Sequence, residues 1–365
     1  MYTPKMYLIE LVGNSADPNQ LRQRFNYESL GGFLKLSHLE WVSSGSTKPP
    51  MTLFIDLGVL QVSNFQRSGN LKIAYLNEPF EIIPDAYLYV RQFSELFSVI
   101  LTHDPEYFSG VSNVSYFVTG GSLLKPVERL LVKEKTSLIS MVVSEKNTTS
   151  GHKFRRVIHD KYRKASTIHF MGRGAQSFGS PLDAYSEFKF SIVIENVKKR
   201  QLFTEKLIEP MLFECIPIYW GASNLSEFFN QDGILSFDTL EELETILRDV
   251  TEEKYESMRG AILHNKRAAL ELISKELNLQ NALASALGES EMVQSIHSVM
   301  PNFEKVLSGD DPIEMASKFV DDPLYAPIDF RDPTYKGLKR WWLESCKHRV
   351  KTTIMGWRAL FRENG

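Results

Sequence analysis

The stretch Phe188–Gly221, FKFSIVIENVKKRQLFTEKLIEPMLFECIPIYWG, decides the fold of this chain. FKFSIVI is aromatic and branched with little polar interruption, the composition of a strand buried on both faces. IPIYW, Ile216–Trp220, reads the same way. Between them Thr204, a good N-cap, opens a short helix. Strand, loop, helix and strand in this order make a crossover unit of a parallel sheet.

Polar residues stand where such a sheet binds ligands, beyond the carboxyl ends of its strands. Glu195 and Asn196 end the first strand and can hydrogen-bond hydroxyls or a base edge. A basic loop, Lys198, Lys199 and Arg200, leads to Thr204, Glu205 and Lys206. The free backbone N–H groups of a first helical turn can receive phosphate there. Lys206 would add a point charge beside a diphosphate, and Glu205 is an acceptor suited to a ribose diol. Gly221 allows the backbone to turn closely past a ligand. Pro210 falls inside the helix, removes a donor and is expected to kink it.

The same rhythm extends outward. Upstream, Ser137–Ser144 (SLISMVVS) has buried-strand length, His152–Lys164 is a basic helical stretch, and Ile168–Met171 is a strand closed by Gly172, Arg173 and Gly174. Downstream, Leu240–Val250 and Lys254–Lys275 read as helices. The N-terminal half supplies candidate strands at Met6–Val12, Leu53–Leu57, Lys72–Leu76 and Val99–Thr102, with Pro84–Phe97 as a helical connection. Lys125–Lys135 is charged and unpatterned, as a linker would be. The expectation is an α/β chain of two Rossmann-like domains facing a cleft. Residues 1–135 form the first, 136–300 the second, and 301–365 the C-terminal helices and a basic tail. No internal repeat is evident.

Composition bounds the function. The 365 residues, 43% hydrophobic and 24% charged, can bury a core without staples. A net charge of -3 gives no global attraction to nucleic acid or acidic lipid. Two distant cysteines, Cys215 and Cys346, argue against a disulfide framework and a structural zinc site. The N-terminal apolar run is too short for a signal peptide, and no run approaches the ~18 residues of a membrane span. The reading is a cytoplasmic protein, or a piece of a longer one.

The pattern F-x-x-x-x-E-N, T-E-K and I-P-I-Y-W-G, in this order and spacing, resembles the donor-binding signature of the α-1,3/4-fucosyltransferase family, glycosyltransferase family 10. SMVVSEKNTTSGHKFRR resembles the family's strand and arginine-bearing helix, and MGRG its Y-G-R segment. YLNEPFEIIPD and SVILTHD resemble its less specific acceptor-domain elements. The resemblance covers roughly Lys72–Gly233. It implies the GT-B architecture and inverting transfer of fucose from GDP-fucose to a glycan hydroxyl. Position by position it implies a donor site of Glu195, Asn196, Thr204, Glu205 and Lys206, joined by Arg155, with Arg173 as a further candidate. No cofactor is required by that reaction, and a divalent metal is at most stimulatory, because Arg155 and Lys206 can stabilise the departing GDP. Asp310-Asp311 and Asp321-Asp322 lie in Pro/Gly-containing loops, unlike a metal-binding D-x-D. Two departures stand out. Leu202 takes the place of a common tyrosine, and Glu214 and Cys215 replace small residues before the second strand.

A general base must come from the other domain. Glu78, just after a predicted strand, is the candidate, with Glu81, Asp104 and His103 as rivals. Each site residue also has a plainer reading. Glu205 and Lys206 suit any first helical turn, Arg155 lies in a basic run with Arg156 and Arg163, and Arg173 could be a loop arginine.

The C-terminal tail carries Trp342, Cys346, Val350, Ile354, Trp357 and Phe361 on one helical face and Arg340, Lys347, Lys351, Arg358 and Arg362 on the other. That is a basic amphipathic helix suited to an anionic membrane surface, although a last helix packed on its own protein has the same pattern. Leu202 and Glu214 leave a same-fold enzyme with another nucleotide sugar as the alternative. An inactive glycan-binding scaffold is a second, disfavoured by the presence of Glu205 and Lys206. Nothing besides the tail suggests nucleic acid.

Overall fold

The computed structural model describes residues 7–12, 39–41, 51–64, 71–123, 133–165, 167–173, 175 and 182–288. The basic tail lies outside these residues.

Two all-parallel sheets organise the chain. The first contains β1 (Tyr7–Val12), β2 (Leu39–Trp41), β3 (Met51–Ile55), β4 (Leu71–Leu76), β5 (Val99–Thr102) and β6 (Val114–Tyr116) in the order β2-β1-β3-β4-β5-β6. The second contains β7 (Ser137–Val142), β8 (His169–Met171), β9 (Phe188–Ile194), β10 (Ile216–Trp220) and β11 (Leu235–Ser236) in the order β11-β10-β9-β7-β8. Read from its other edge, the second sheet repeats the start of the first. In each, the opening strand is flanked by its successor on one side and by the third strand on the other. That reversal creates a crevice at the carboxyl ends of the strands, between the first and third.

Strand identity follows from burial. All seven residues of β9 and all five of β10 are buried, and they pair in register from Ile216↔Phe190 to Trp220↔Ile194. On β3, β4 and β5 alternate residues face opposite ways. Leu53, Ile73, Tyr75 and Leu101 enter one core, while Phe54, Ala74, Leu76 and Ile100 pack with Tyr87 and Val90 of α1 (Pro84–Gln92) in another. β3 ends earlier than its sequence suggests because Asp56 turns to φ 50, and a 3-10 helix over Asp56–Asn64 follows.

The helices that matter for the site are α2 (Ser150–Tyr162) after β7, the short α3 (Leu182–Tyr185) before β9, and α4 (Glu205–Leu212) between β9 and β10. α4 ends two residues beyond Pro210. Then come α5 (Leu240–Asp249), α6 (Glu252–Ser257), α7 (Arg259–Glu271) and α8 (Lys275–Ala286). The single helix expected over Lys254–Lys275 is thus broken. Thr251 caps α6, and Ser274 accepts from the Leu277 N–H to start α8.

α8 returns to the first sheet, where it touches β6. Leu277, Leu279 and Leu283 join the core that also holds Met51, Tyr75 and Leu101 of the first sheet and Leu207 and Met211 of α4. One apolar core therefore runs beneath both sheets. Polar ties reinforce it: Glu209 of α4, buried, accepts from the Ser122 hydroxyl at 3.1 Å and the Leu123 N–H at 2.6 Å.

Candidate functional site

Beyond the end of β9, the Glu195 N–H donates to the Trp220 carbonyl of β10 at 3.0 Å. The Glu195 side chain, 1% exposed, turns toward the start of α4. Thr204 occupies both its oxygens, the backbone N–H donating at 2.9 Å and the hydroxyl at 2.8 Å. The same hydroxyl caps α4 by accepting from the Lys206 N–H at 3.4 Å. Glu195 therefore braces the helix cap, with one hydrogen bond to each of its oxygens. Gly221 passes close to the same side chain. A Cβ there would stand 2.3 Å from the Tyr219 hydroxyl and 2.7 Å from Glu195 Cγ, so the space it leaves is filled by the protein's own side chains.

α2 arrives at the same place from β7. Thr149 caps it in a reciprocal box with His152. Its first turn lies directly on the end of β9: the Gly151 N–H donates to the Asn196 carbonyl at 2.9 Å, and a Cβ on Gly151 would come within 1.8 Å of the Glu195 carbonyl oxygen. One turn on, Arg155 is buried and donates from Nη2 to Asn196 Oδ1 at 2.7 Å, while its Nε has no partner. Burial lowers the Arg155 pKa, with Glu195 and Glu205 pulling the other way. Burial, with Arg155, Lys146 and Lys206 nearby, brings His152 down to about 4.

Glu205 and Lys206 complete the cluster. Lys206 Nζ lies 2.7 Å from Glu205 Oε1 and 3.2 Å from the Thr204 hydroxyl. Burial opposes both charges, yet the pair sustains itself: Lys206 and Lys275 hold Glu205 down at about 2, and Glu205 and Glu195 keep Lys206 above its ordinary value. Lys275, at the start of α8, is a member of this field that the sequence reading did not single out. The outcome is a buried arginine in the second turn of α2 and a charged lysine in the first turn of α4, two helices whose N-termini converge on the end of β9. Both helix dipoles and both side chains favour an anion there.

The first sheet faces this cluster across a polar seam. Lys199 reaches Asp104 at 3.1 Å and Glu81 at 3.6 Å, Arg200 reaches Glu106 at 3.4 Å, and the Tyr116 hydroxyl donates to the Gln201 carbonyl at 3.4 Å. Lys198 pairs with Asp238 within its own domain. The basic loop is thus committed to protein carboxylates. These contacts also occupy two rivals for the base, Glu81 and Asp104. The third, His103, is wholly buried with neither ring nitrogen in a regular hydrogen bond, and burial pushes it down to about 4. Glu78 differs. Its backbone N–H and that of Asn77 donate to Asp56 Oδ1 at 3.0 and 2.8 Å, while its half-buried carboxylate has no partner among the described residues. Asp56, with its positive φ, fixes this turn and was missed because its sequence context reads as a continuing strand.

Arg173 does not join Arg155. It is exposed and lines a cavity on the solvent side of α2 with Arg156 and Arg163. Of the two departures, Glu214 lies at the opposite, N-terminal end of β10, bonded to Lys266 at 2.8 Å and Arg259 at 3.3 Å, remote from the cluster. Leu202 is buried. Among the described residues no His, Cys, Asp and Glu gather as a metal site, and no helix is long and apolar enough to cross a membrane.

Residues 132–260, from β7 into α7, match the model of the glycosyltransferase family 10 (fucosyltransferase) C-terminal domain. That segment is similar to the C-terminal domain of this family. A fucosyltransferase homologue of Acanthamoeba polyphaga mimivirus is 31% identical over 106 residues, which are 27% of this chain and 17% of that protein's length. An α1,3-fucosyltransferase crystallised with GDP superposes with a TM-score of 0.51 at 15% identity, over 85% of this chain and 92% of the other. A glycosyltransferase from Rickettsia africae gives 0.50 at 10% identity, over 80% and 99%. At such identities the likeness is one of fold, the two-domain GT-B arrangement. The matched segment holds Arg155, Asn196, Thr204, Glu205 and Lys206, whereas Glu78 lies outside the matched residues.

Proposed function

We propose that the chain is an inverting fucosyltransferase that moves fucose from GDP-fucose to a hydroxyl of a glycan acceptor. The observation that carries this reading is the meeting of Arg155, in the second turn of α2, and Lys206, in the first turn of α4, inside the segment that matches the family 10 model. In the reaction the acceptor oxygen attacks the anomeric carbon from the face opposite the nucleotide. The C1–O bond breaks, and its electron pair passes to the GDP β-phosphate. Arg155, with its unbonded Nε, and Lys206 neutralise that charge, so no cofactor enters the scheme. Glu205 accepts from the ribose hydroxyls, Asn196 holds Arg155, and Glu78 takes the acceptor proton.

Calorimetric titration with GDP, UDP and GDP-fucose tests the donor. GDP is expected to bind selectively and Lys206→Ala to weaken it by about tenfold or more, the usual worth of a charge-assisted contact. Tight UDP binding would instead assign a different nucleotide sugar. Binding of neither would leave a scaffold that keeps only the fold.

We also propose peripheral attachment to the inner face of an anionic membrane through the basic tail, on the sequence pattern alone. The full chain is expected to sediment with anionic vesicles, and a chain ending at Lys336 to stay in solution. Equal partition of both would remove the tail from the account.

A further inference from the structure

Lys199 does more at the seam than hold two domains together. It stands in the loop 197–203, which joins Asn196 beyond β9 to the Thr204 cap of α4. Its ammonium is shared between two carboxylates of the other domain, Asp104 at 3.1 Å and Glu81 at 3.6 Å. Those carboxylates come from different elements. Asp104 follows β5 and precedes the 3-10 helix Pro105–Phe108, its N–H donating to the Thr102 hydroxyl at 3.0 Å. Glu81 shares a turn with Glu78 and Pro79, closed where the Ile82 and Ile83 N–H groups donate to the Pro79 carbonyl at 2.9 and 3.2 Å. One lysine therefore bridges the loop of the donor site and the turn that carries the candidate base.

The loop is built to transmit this tie. Beside Lys199, the Arg200 carbonyl accepts from the Ser223 and Asn224 N–H groups at 3.2 and 3.3 Å, which fixes the backbone to the segment after β10. At the far end of the loop the Phe203 carbonyl accepts from the Gly120 N–H at 3.3 Å, and Thr204 binds both oxygens of Glu195. With its backbone held, Lys199 resists any shift of the base turn through its side chain alone. An ammonium has three donors and can serve both carboxylates at once. The Lys199 and Asp104 side chains are 30% and 12% exposed, against 56% and 69% for the neighbouring pair Arg200 and Glu106. Solvent therefore screens the Lys199 pair less, and it is the stiffer of the two ties.

We propose that Lys199 is a positioning residue that sets the turn of Glu78 in register with the donor site. The inference rests on the transfer reaction proposed above, with Glu78 as its base. An in-line displacement needs base, acceptor oxygen and anomeric carbon aligned, and a misplacement of about 1 Å costs about 10²-fold in rate. Nucleotide binding makes no such demand. Arg155 and Lys206 are held from within the second domain, by Asn196, Thr204 and Glu205. Loss of Lys199 therefore acts on the transfer step and spares the affinity for GDP.

The test compares the full chain with Lys199→Met, Lys199→Arg, and the exchanged pair Lys199→Asp with Asp104→Lys. Three measurements are made on each: initial rates with GDP-fucose, titration with GDP, and amide hydrogen exchange. Lys199→Met is expected to lower kcat by about 10- to 100-fold with GDP affinity unchanged. Lys199→Arg keeps the charge and should recover most of the rate, and the exchanged pair should exceed either of its single variants. Amide exchange in Lys199→Met should rise together in residues 77–83 and 197–203, which lie on opposite sides of the seam. That readout needs no substrate. A paired rise in a protein that transfers no fucose would overturn the donor assignment while supporting the tie. The proposal itself is overturned by full kcat in Lys199→Met, by a matching loss of GDP affinity, by an equal loss in Lys199→Arg, or by exchange that rises on one side only.

Discussion

Glu78 and Glu195 both follow a buried strand, yet they have opposite surroundings. Glu195 is sealed in, its two oxygens engaged by Thr204, and burial raises its pKa despite Lys206 and those hydrogen bonds. Glu78 keeps a carboxylate without a partner among the described residues, on a turn whose backbone N–H groups Asp56 accepts. One is built to brace, the other is available to take a proton. Glu78→Gln keeps the shape and removes the basicity, so initial rates with GDP-fucose should show kcat lowered by about 10²–10⁴ with GDP affinity unchanged. Full activity in that variant would send the search for the base elsewhere. The sequence placed both carboxylates at strand ends, but strand periodicity does not report which way a side chain turns once the strand stops. That direction is set by Thr204, nine residues further on and brought back by α4.

At the scale of elements, the site is where α2 and α4 begin. Their approach depends on Gly151, since a side chain there would enter the Glu195 carbonyl at 1.8 Å and the neighbouring Asn196 carbonyl at 2.8 Å. Backbone atoms in a paired strand end do not give way. Gly151→Ala should therefore lift α2 from β9, separate Arg155 from Asn196, and lose GDP affinity with a drop in stability of about 1–3 kcal/mol. Titration and thermal melting together check this, and a variant with native values of both would show the contact to be slack. β9 and β10 were legible to the residue because strands buried on both faces leave an unbroken apolar run with no competing periodicity. The Gly151 contact was not legible, because a glycine in a capped helix start reads as ordinary punctuation. The break between α7 and α8 escaped for a similar reason. It is set by tertiary contact, the Leu272 carbonyl being taken by the Gly121 N–H at 2.9 Å while Ser274 caps the next helix.

At the scale of the whole molecule, the two sheets share a core through α8 and meet at a seam where Lys199 and Arg200 answer Asp104, Glu81 and Glu106. His103 sits behind this seam, beside Asp104 and edge-on to Phe117. Burial pulls its pKa from 6.5 to about 4, and the opposing influence of Asp104 and of the Leu76 backbone does not offset it. His152 is pulled down to about 4 as well, first by burial and then by Arg155. A group with a depressed folded pKa contributes stability that is full above the unfolded value and is lost as pH falls toward the folded one. Between pH 6.5 and 4 the unfolded chain binds protons that the folded chain refuses, each group costing at most about 1.4 kcal/mol per pH unit. Glu205, held at about 2, extends the loss below pH 4.5, whereas Glu195, raised, works against it. The melting temperature should thus fall steadily from pH 7 to pH 4.5. His103→Leu should flatten the curve by about one proton's share without lowering stability at pH 7, since neither ring nitrogen gives up a regular hydrogen bond. Parallel curves for the two proteins would mean that His103 titrates normally, and that the seam is open to water where the fold closes it.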